Sequence, residues 1–306
     1  MRRNKIWVTL LLALICGECT ARAMHDPFDI DFFFDWSFWD KRIEMNLLIW
    51  RLPENTKIPL TMGGFRGTWQ PTPKKEGTTR IIATGAGHLF ADNLSYGFAW
   101  TERLAQNMQD KGINTEVWNM GVNGSTVLFL ERCLLESIIE AKPNMVILSH
   151  SGYNESLHSY VPERNLVFPT SDVRNAFLSS ALFRQSLKLG AQLWNTSTGE
   201  GRKPKVSIDE FLSSYDRIIT SLQQEGVSVI LLQQEVITPD IPPIWHQKEL
   251  EAYRAAFASL AQKHMLLYVD PRQLIQGTPT VYFDEQEYYS EHMHLRIAKI
   301  ISSLAL

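Results

Sequence analysis

Short apolar runs alternate with amphipathic segments along most of the chain after residue 79. The runs have the length of buried strands, and they lie at residues 80–84, 115–118, 145–149, 227–232 and 265–269. The segments between them carry apolar residues at helical spacing. Strands and helices in alternation predict a parallel sheet covered on both faces. We therefore expect a three-layer α/β/α sandwich around a central parallel sheet of about five strands.

Local signals predict where the helices begin and end. One helix is expected at residues 95–111, stopped by Gly112, and a second follows the turn at 119–124 with Ser125 or Thr126 as its cap. A third opens at residue 207 on a Ser-x-x-Glu capping box and runs to about residue 224. Two more are expected at residues 247–263 and at the end of the chain, near residue 304.

The first residues have the pattern of a targeting segment. Residues 1–5 are basic, residues 6–16 are apolar, and residues 21–23 read Ala-Arg-Ala, which suits a cleavage site. The apolar stretch is too short to span a bilayer comfortably. We expect a signal peptide at residues 1–23 and an exported, periplasmic or extracellular protein. A retained membrane anchor is the alternative.

Two other regions interrupt the alternation. Residues 24–79 are crowded with aromatic side chains and end in a linker, so we expect an N-terminal arm that packs on the main domain. A platform for a carbohydrate or a partner is the alternative for these rings. Residues 156–206 predict a helical insertion over one end of the sheet, within a main domain that spans residues 80–306.

Composition and net charge limit the classes of molecule that the protein is expected to bind. A chain of 306 residues with 44% hydrophobic residues can bury a large core without disulfides. Lys and Arg are spread along a chain of formal net charge -3, so no basic patch marks a site for phosphate backbones. Nucleic acid is not expected as a partner, and neither is stable membrane insertion after signal cleavage.

Three loops at one edge of the predicted sheet carry an ordered set of motifs. Ligands of open parallel sheets bind beyond the carboxyl ends of the strands. Here those loops read Gly-Ala-Gly-His at 85–88, Asn-Met-Gly-Val-Asn-Gly at 119–124 and Gly-Tyr-Asn-Glu at 152–155. With the Gly-Phe-Arg-Gly run at 64–67, this series resembles the blocks of SGNH/GDSL hydrolases of the bacterial exported branch.

The resemblance implies both a fold and an ancestral chemistry. It covers residues 62–306 and implies hydrolysis or transfer of an acyl ester. It also implies that the Gly121 amide and the Asn154 side chain are oxyanion donors. The plainer role for Asn154 is to tie its own loop by hydrogen bonds to the backbone.

The first block departs from the family at the reacting residue. Where the family has Gly-Asp-Ser, this chain has Gly85, Ala86 and Gly87. Acyl transfer through a hydroxyl needs an oxygen that a histidine can deprotonate beside preorganised donors. Gly87 at the nucleophile position offers only its backbone N–H, so we expect the serine route to be lost.

The last block is altered as well. The family has Asp-x-x-His, and the preferred match is Glu291 with His294, in which the carboxylate orients the general base. A second alignment, counted back from residues 297–298, puts Glu285 and Tyr288 at these positions and leaves no base.

The loops at this edge carry side chains suited to two other kinds of chemistry. Imidazoles and carboxylates on its loops could ligate a transition metal such as zinc, although their spacing is poor and no cofactor is expected. Serines near the same loops could act as a displaced nucleophile, but capping and loop hydrogen bonds explain them adequately. The metal candidates are His88, His150, His292, His294, Glu155 and Glu291, and the serines are Ser125, Ser149 and Ser151.

These features predict a protein of ester-hydrolase ancestry whose catalysis is impaired because Gly87 replaces the serine. Its expected ligand is a small acyl ester or an acylated glycan or lipid. The alternative is an active esterase or acyltransferase that uses a displaced serine or an activated water, with or without a metal. The retained Gly121, Asn154 and His294 favour that alternative, since an oxyanion hole has no use where no negative charge develops.

Overall fold

The computed structural model describes residues 61, 65–69, 72–91, 93–122, 124–150, 152–156, 158–159, 203–234, 244–274 and 289–304. The predicted signal peptide, most of the aromatic arm and most of the helical insertion lie outside these residues and stay predictions. Glu285, Tyr288 and Ser151 lie outside them as well.

The main sheet has five parallel strands, as predicted. They pair in the order β2-β1-β3-β4-β5, so β1 lies between β2 and β3. Almost every residue of the three inner strands is buried, because helices cover both faces of the sheet. The strands are β1 (Thr79–Gly85), β2 (Thr115–Gly121), β3 (Met145–His150), β4 (Ser228–Gln233) and β5 (Leu267–Val269).

Helices connect the strands and continue to the end of the described chain. The segment after β2 is helical in three parts, since a π-helical turn at Leu130–Leu134 separates α3 from α4. A single 3-10 turn, Pro271–Leu274, follows β5. The α-helices are α1 (Gly87–Phe90), α2 (Trp100–Asp110), α3 (Val127–Phe129), α4 (Leu135–Glu140), α5 (Tyr153–Ser156), α6 (Ile208–Gln224), α7 (Ile244–His264) and α8 (Glu291–Leu304).

The two faces of the sheet carry different helices. Helices α2 and α8 pack on one face, where Trp100 and Ile297 join the same buried cluster as Ile81. Helices α6 and α7 cover the other face, where the ring centroids of Tyr215 and Phe257 are 5.0 Å apart. The predicted three-layer α/β/α sandwich is therefore confirmed.

A buried arginine fixes the loop that leads from α1 to α2. Arg66 has no exposed side-chain surface, and its Nε donates to Glu102 Oε1 at 2.6 Å. Its guanidinium also donates to the backbone carbonyls of Ala91, at 2.7 Å, and Ser95, at 2.8 Å. The other carboxylate oxygen of Glu102 accepts the backbone N–H of Gly97 at 2.6 Å. One ion pair thus holds both ends of this loop.

The described part of the aromatic arm contacts β2. The ring of Trp69 stacks on that of Trp118, with centroids 4.6 Å apart, and Phe65 stacks on Trp69 at 5.5 Å. The guanidinium of Arg80 lies 4.2 Å from the Trp118 ring on β2. Flat rings and a guanidinium plane associate favourably in this way.

A second, smaller unit contributes few described residues. His158–Ser159 and Lys203–Pro204 form a two-stranded antiparallel pair.

Across all the described residues, the helices lack the combination of length and apolar composition that spanning a membrane requires.

Candidate ligand site at the carboxyl edge of the sheet

The sheet order defines a crevice at the carboxyl ends of β1 and β3. The chain leaves β1 toward β2 on one side, and β3 lies on the other side, which is the arrangement of a topological switch point. Open α/β sheets bind ligands at such a point. Residues 86–88 follow β1 and residues 152–154 follow β3, so these two loops flank the crevice.

The first block is tightly packed where it leaves β1. A Cβ atom on Gly85 would lie 1.8 Å from the backbone oxygen of Ser149 on β3, so only glycine fits there. Ala86 precedes α1 and is buried, whereas Gly87 is half-buried as the first residue of α1. Neither Ala86 nor Gly87 brings a side-chain oxygen to the crevice.

The glycine amide predicted as an oxyanion donor is already engaged. The N–H of Gly121 donates to Asn119 Oδ1 at 2.9 Å. The amide nitrogen of the same asparagine donates to the Leu89 carbonyl at 2.7 Å and to Thr101 Oγ1 at 3.1 Å. Asn119 therefore fastens α1 to the end of β2, and the Gly121 N–H is directed into that contact and away from a ligand.

Asn154 joins the second and third blocks. Its Nδ2 donates to the Ser125 carbonyl at 2.8 Å, and Ser125 Oγ donates to the Gly85 carbonyl at 3.0 Å. The neighbouring Glu155 accepts the backbone N–H of Val127 at 2.9 Å. Since an amide nitrogen carries two hydrogens, the bond to Ser125 uses one and orients the other. Asn154 is half-buried and can still donate to a ligand.

The preferred catalytic pair of the last block is not assembled as expected. His294 is 1% exposed, and its Nδ1 accepts the backbone N–H of Trp100 at 2.9 Å. Burial lowers the pKa of His294 to about 3, and electrostatic interactions, first of all with the Arg66 guanidinium, lower it further. Glu291 is exposed and forms an ion pair with Arg103 at 2.9 Å.

His294 supports the first turn of α2, and its ring is almost wholly buried in this structure. The catalytic roles of Glu291 and His294 stay predictions. So does the second alignment, which puts Glu285 and Tyr288 at the family positions and offers no imidazole there.

A buried histidine and tyrosine form a contact that the sequence did not predict. His150 ends β3 and is 2% exposed, and its Nδ1 is hydrogen-bonded to the hydroxyl of Tyr215. Burial lowers the pKa of His150 to about 3 and raises the pKa of Tyr215, which the nearby Glu155 carboxylate raises further. The imidazole is therefore neutral at physiological pH, and no local spacing signals a contact between residues so far apart in sequence.

The two described serine candidates are buried and hydrogen-bonded. Ser149 Oγ accepts the side-chain N–H of Gln234 at 2.9 Å, and Ser125 Oγ is directed at Gly85 as described above. Both hydroxyls are therefore engaged in hydrogen bonds within the protein.

The histidines considered for a metal site are spread over different surroundings. His88 packs against Tyr289, with ring centroids 5.0 Å apart, while His150 contacts Tyr215 on the opposite face of the sheet. His292 is exposed in the first turn of α8. Within the described residues, no three His, Cys, Asp or Glu side chains are grouped closely enough to hold a metal ion.

The sequence matches no model of a protein family and no curated protein. Solved structures share its fold at low identity. The acetyl xylan esterase AlAXEase matches with a TM-score of 0.51 at 13% identity, over 74% of this chain and 100% of that chain.

Two further solved structures have lower scores. TesA matches with a TM-score of 0.48 at 15% identity, over 73% of this chain and 96% of that chain. Axe2, an acetylxylan esterase from Geobacillus stearothermophilus, matches with a TM-score of 0.47 at 16% identity, over 74% of this chain and 93% of that chain. The five-stranded parallel sheet and its covering helices thus give this chain the fold of SGNH-type esterases.

Proposed function

We propose that this protein descends from ester hydrolases, binds an acyl-ester ligand at the carboxyl edge of its sheet, and forms no acyl-enzyme at residue 87. The observation that carries the proposal is the loop after β1, where Ala86 and Gly87 stand at the family positions of Asp and Ser. A serine route needs a hydroxyl there.

The surroundings of the loop support the same reading. The Gly121 N–H is bonded to Asn119 and the His294 ring is bonded to Trp100, so neither is poised for acyl transfer. Asn154 keeps a donor hydrogen beside the crevice, which suits binding of a carbonyl oxygen. A site with an oxyanion donor and no triad can still leave roughly 10³-fold catalysis over water, so weak turnover fits the proposal.

The ligand class follows from the ancestry. A small acyl ester, or a glycan or lipid carrying acyl groups, is the ligand that such a crevice inherits. One protein of similar fold is an acetyl xylan esterase by name, which makes an acetylated glycan a suitable ligand to test beside a simple ester. An N-terminal signal peptide at residues 1–23 would bring the protein to such ligands outside the cytoplasm.

The test compares the natural chain with a chain whose missing groups are restored. We expect the natural protein to bind triacetin in saturation-transfer NMR and to show neither a burst with 4-nitrophenyl acetate nor a covalent adduct with a fluorophosphonate. The variant Gly87→Ser with Tyr288→His and Glu285→Asp should gain the adduct. Gly87→Ala with the same two changes is the matched control, because it adds a side chain without a hydroxyl.

Three outcomes would contradict the proposal. A fluorophosphonate adduct on the natural chain would reveal a displaced serine. Efficient turnover that a chelator abolishes would indicate a metal-bound water. Absence of triacetin and acetylated xylo-oligosaccharide binding would remove the ester-binding site itself.

A further inference from the structure

Gln234 continues the pairing of β4 with β3 one residue beyond the end of β4. Its backbone N–H donates to the carbonyl oxygen of His150 at 3.2 Å, and its own carbonyl oxygen accepts a hydrogen bond from Gln233 Nε2 at 3.0 Å. The residue is 1% exposed. Gln234 therefore has a fixed position at the carboxyl edge of the sheet, the edge that carries the crevice.

The side chain of Gln234 reaches across β3 toward the end of β1. Its Nε2 donates to Ser149 Oγ at 2.9 Å. Ser149 pairs with Gly85, the last residue of β1, and its Cβ would lie 3.1 Å from a Cβ atom on Gly85. The Gln234 carboxamide is thus placed beside the strand ends from which residues 86–88 and 152–154 leave the sheet.

The carboxamide oxygen of Gln234 is buried and lacks a hydrogen-bond donor. No described residue donates to Oε1, although an amide oxygen has two lone pairs. Ile230 and Leu232, which precede Gln234 on the same face of the sheet, belong to the apolar core, and their side chains have no hydrogen to donate. A donor to Oε1 must therefore come from the carboxyl edge. A buried acceptor that stays unpaired would cost free energy of folding.

An acceptor at this place selects a different chemical group from the one that suits Asn154. The Asn154 amide donates, which suits the carbonyl oxygen of an ester. Gln234 Oε1 can only accept, so its partner is an O–H or N–H group. An ester group has no such hydrogen, and the donor must be a second group on the ligand. Partly acylated polyols and sugars carry such a donor, a free hydroxyl beside the acyl group.

We propose that Oε1 of Gln234 accepts a hydrogen bond from a free hydroxyl of the ligand, so that the crevice selects a partly acylated polyol or sugar over a fully acylated one. Ser149 is the positioning residue, because its Oγ holds the amide nitrogen and thereby orients the amide oxygen. This inference rests on the proposed function, since it concerns the ligand of the same crevice, and it narrows that ligand to hydroxyl-bearing esters.

Two esters that differ at one hydroxyl test the role of Gln234 in the full chain. 2-Hydroxyethyl acetate carries the hydroxyl, and 2-methoxyethyl acetate has a methyl ether in its place. In NMR titrations, we expect the natural chain to bind the first about tenfold more tightly, as expected for one hydrogen bond to the ligand. Gln234→Met keeps the length of the side chain without the amide oxygen. Its two affinities should become nearly equal, while its affinity for the methyl ether stays that of the natural chain.

Matched variants separate recognition of the hydroxyl from a structural role. Gln262→Met makes the same change at an exposed residue near the end of α7, at the opposite edge of the sheet, and should keep the preference of the natural chain. Ser149→Ala removes the hydrogen bond that orients the Gln234 amide. Its preference for the hydroxyl should shrink severalfold, while its affinity for the methyl ether holds.

The outcomes separate the two proposals. Equal affinities of the natural chain for the two esters, or a preference that persists in Gln234→Met, would overturn the role of Gln234 and leave the ester-binding crevice standing. Failure of the natural chain to bind these esters, triacetin and acetylated xylo-oligosaccharides would overturn both.

A measurement on the natural chain decides the matter if Gln234→Met does not fold. The side-chain amide resonances of Gln234, assigned through bonds from its backbone, should shift more with 2-hydroxyethyl acetate than with the methyl ether. Equal shifts would overturn the hydrogen bond from the ligand hydroxyl to Oε1.

Discussion

The imidazole of His294 accepts the backbone N–H of Trp100 across 2.9 Å and so serves the first turn of α2. Helix N-termini leave N–H groups that usually bond a Ser, Thr, Asp or Asn side chain at the cap. Here the cap position is Ala99, which has no side-chain acceptor, and a ring from α8 takes its place. Only an unprotonated Nδ1 can accept this bond, so the contact depends on a neutral histidine.

The first prediction concerns acid. His294 and His150 have folded-state pKa values of about 3 against an ordinary value of 6.5, so the unfolded chain binds more protons between these values. Stability is therefore full above pH 6.5 and falls as the pH drops through this window. At pH 5, each histidine should lower the free energy of unfolding by about 2 kcal/mol.

Urea unfolding at pH 7 and pH 5 measures this effect. The variant His294→Gln keeps a side-chain acceptor without a titrating group, so it should show a smaller difference between the two pH values than the natural chain. An identical pH dependence in the variant would mean that His294 does not titrate in this window.

A second prediction concerns the ion pair of Arg66. Removing one partner of a buried pair leaves an uncompensated charge, which costs about 3–5 kcal/mol. We expect Arg66→Met to lose this much, and Arg66→Lys to be destabilised as well, because an ammonium cannot reproduce the bonds to the Ala91 and Ser95 carbonyls. The comparison is Arg217→Met, which breaks an exposed pair with Glu131 and should cost about 1 kcal/mol or less. Equal losses of unfolding free energy for Arg66→Met and Arg217→Met in urea would contradict a role of the Arg66 ion pair in holding this loop.

A third prediction concerns the contact between β1 and β3. In Gly85→Ala the new methyl would overlap the Ser149 carbonyl, so the strands must separate, and we expect a loss of more than about 3 kcal/mol or no folding. In Gly112→Ala the added Cβ meets no atom within 4 Å. The only cost is the strain of holding an alanine at a φ of +77°, which should lower the free energy of unfolding by about 1–2 kcal/mol. Thermal unfolding of both variants gives the comparison, and a mild effect at residue 85 would count against this packing.

A fourth prediction concerns the buried hydroxyl of Tyr215. Tyr215→Phe leaves His150 Nδ1 without its hydrogen bond in a buried place, which should cost about 1–3 kcal/mol. The matched change is Tyr96→Phe, where the hydroxyl is exposed and bonded to Thr68, and its effect should be within about 0.5 kcal/mol. Similar stability of the two variants in urea would show that the His150 contact contributes little.

The sequence predicted the number and direction of the strands because each strand has an apolar centre and amphipathic helical segments lie between the strands. The predicted ends of strands were wrong where polar residues continue the hydrogen-bonded pairing of the sheet. β2 runs on to Gly121, since Asn119 and Gly121 still pair with Ala83 and Gly85 of β1. Helix α2 begins at Trp100 instead of near residue 95, because Arg66 and Glu102 hold the preceding loop in another conformation.

The candidate site was predictable in location and unpredictable in contacts. The edge of the sheet follows from strand order, and Gly87 is read directly from the first block. The bond between His294 and Trp100 joins residues 194 positions apart, which no local spacing reveals. For Asn119 a signal did exist, since an asparagine two residues before a glycine often bonds the backbone N–H of that glycine.

Ser125 and Asn154 donate hydrogen bonds, and Glu155 accepts one, that tie together the end of β1 and the segments beyond β2 and β3. These described parts of the edge are already ordered before a ligand binds. The free-energy cost of ordering the chain on binding is therefore small. Association should be a single step whose observed rate rises linearly with ligand concentration, without the plateau that a slow rearrangement imposes.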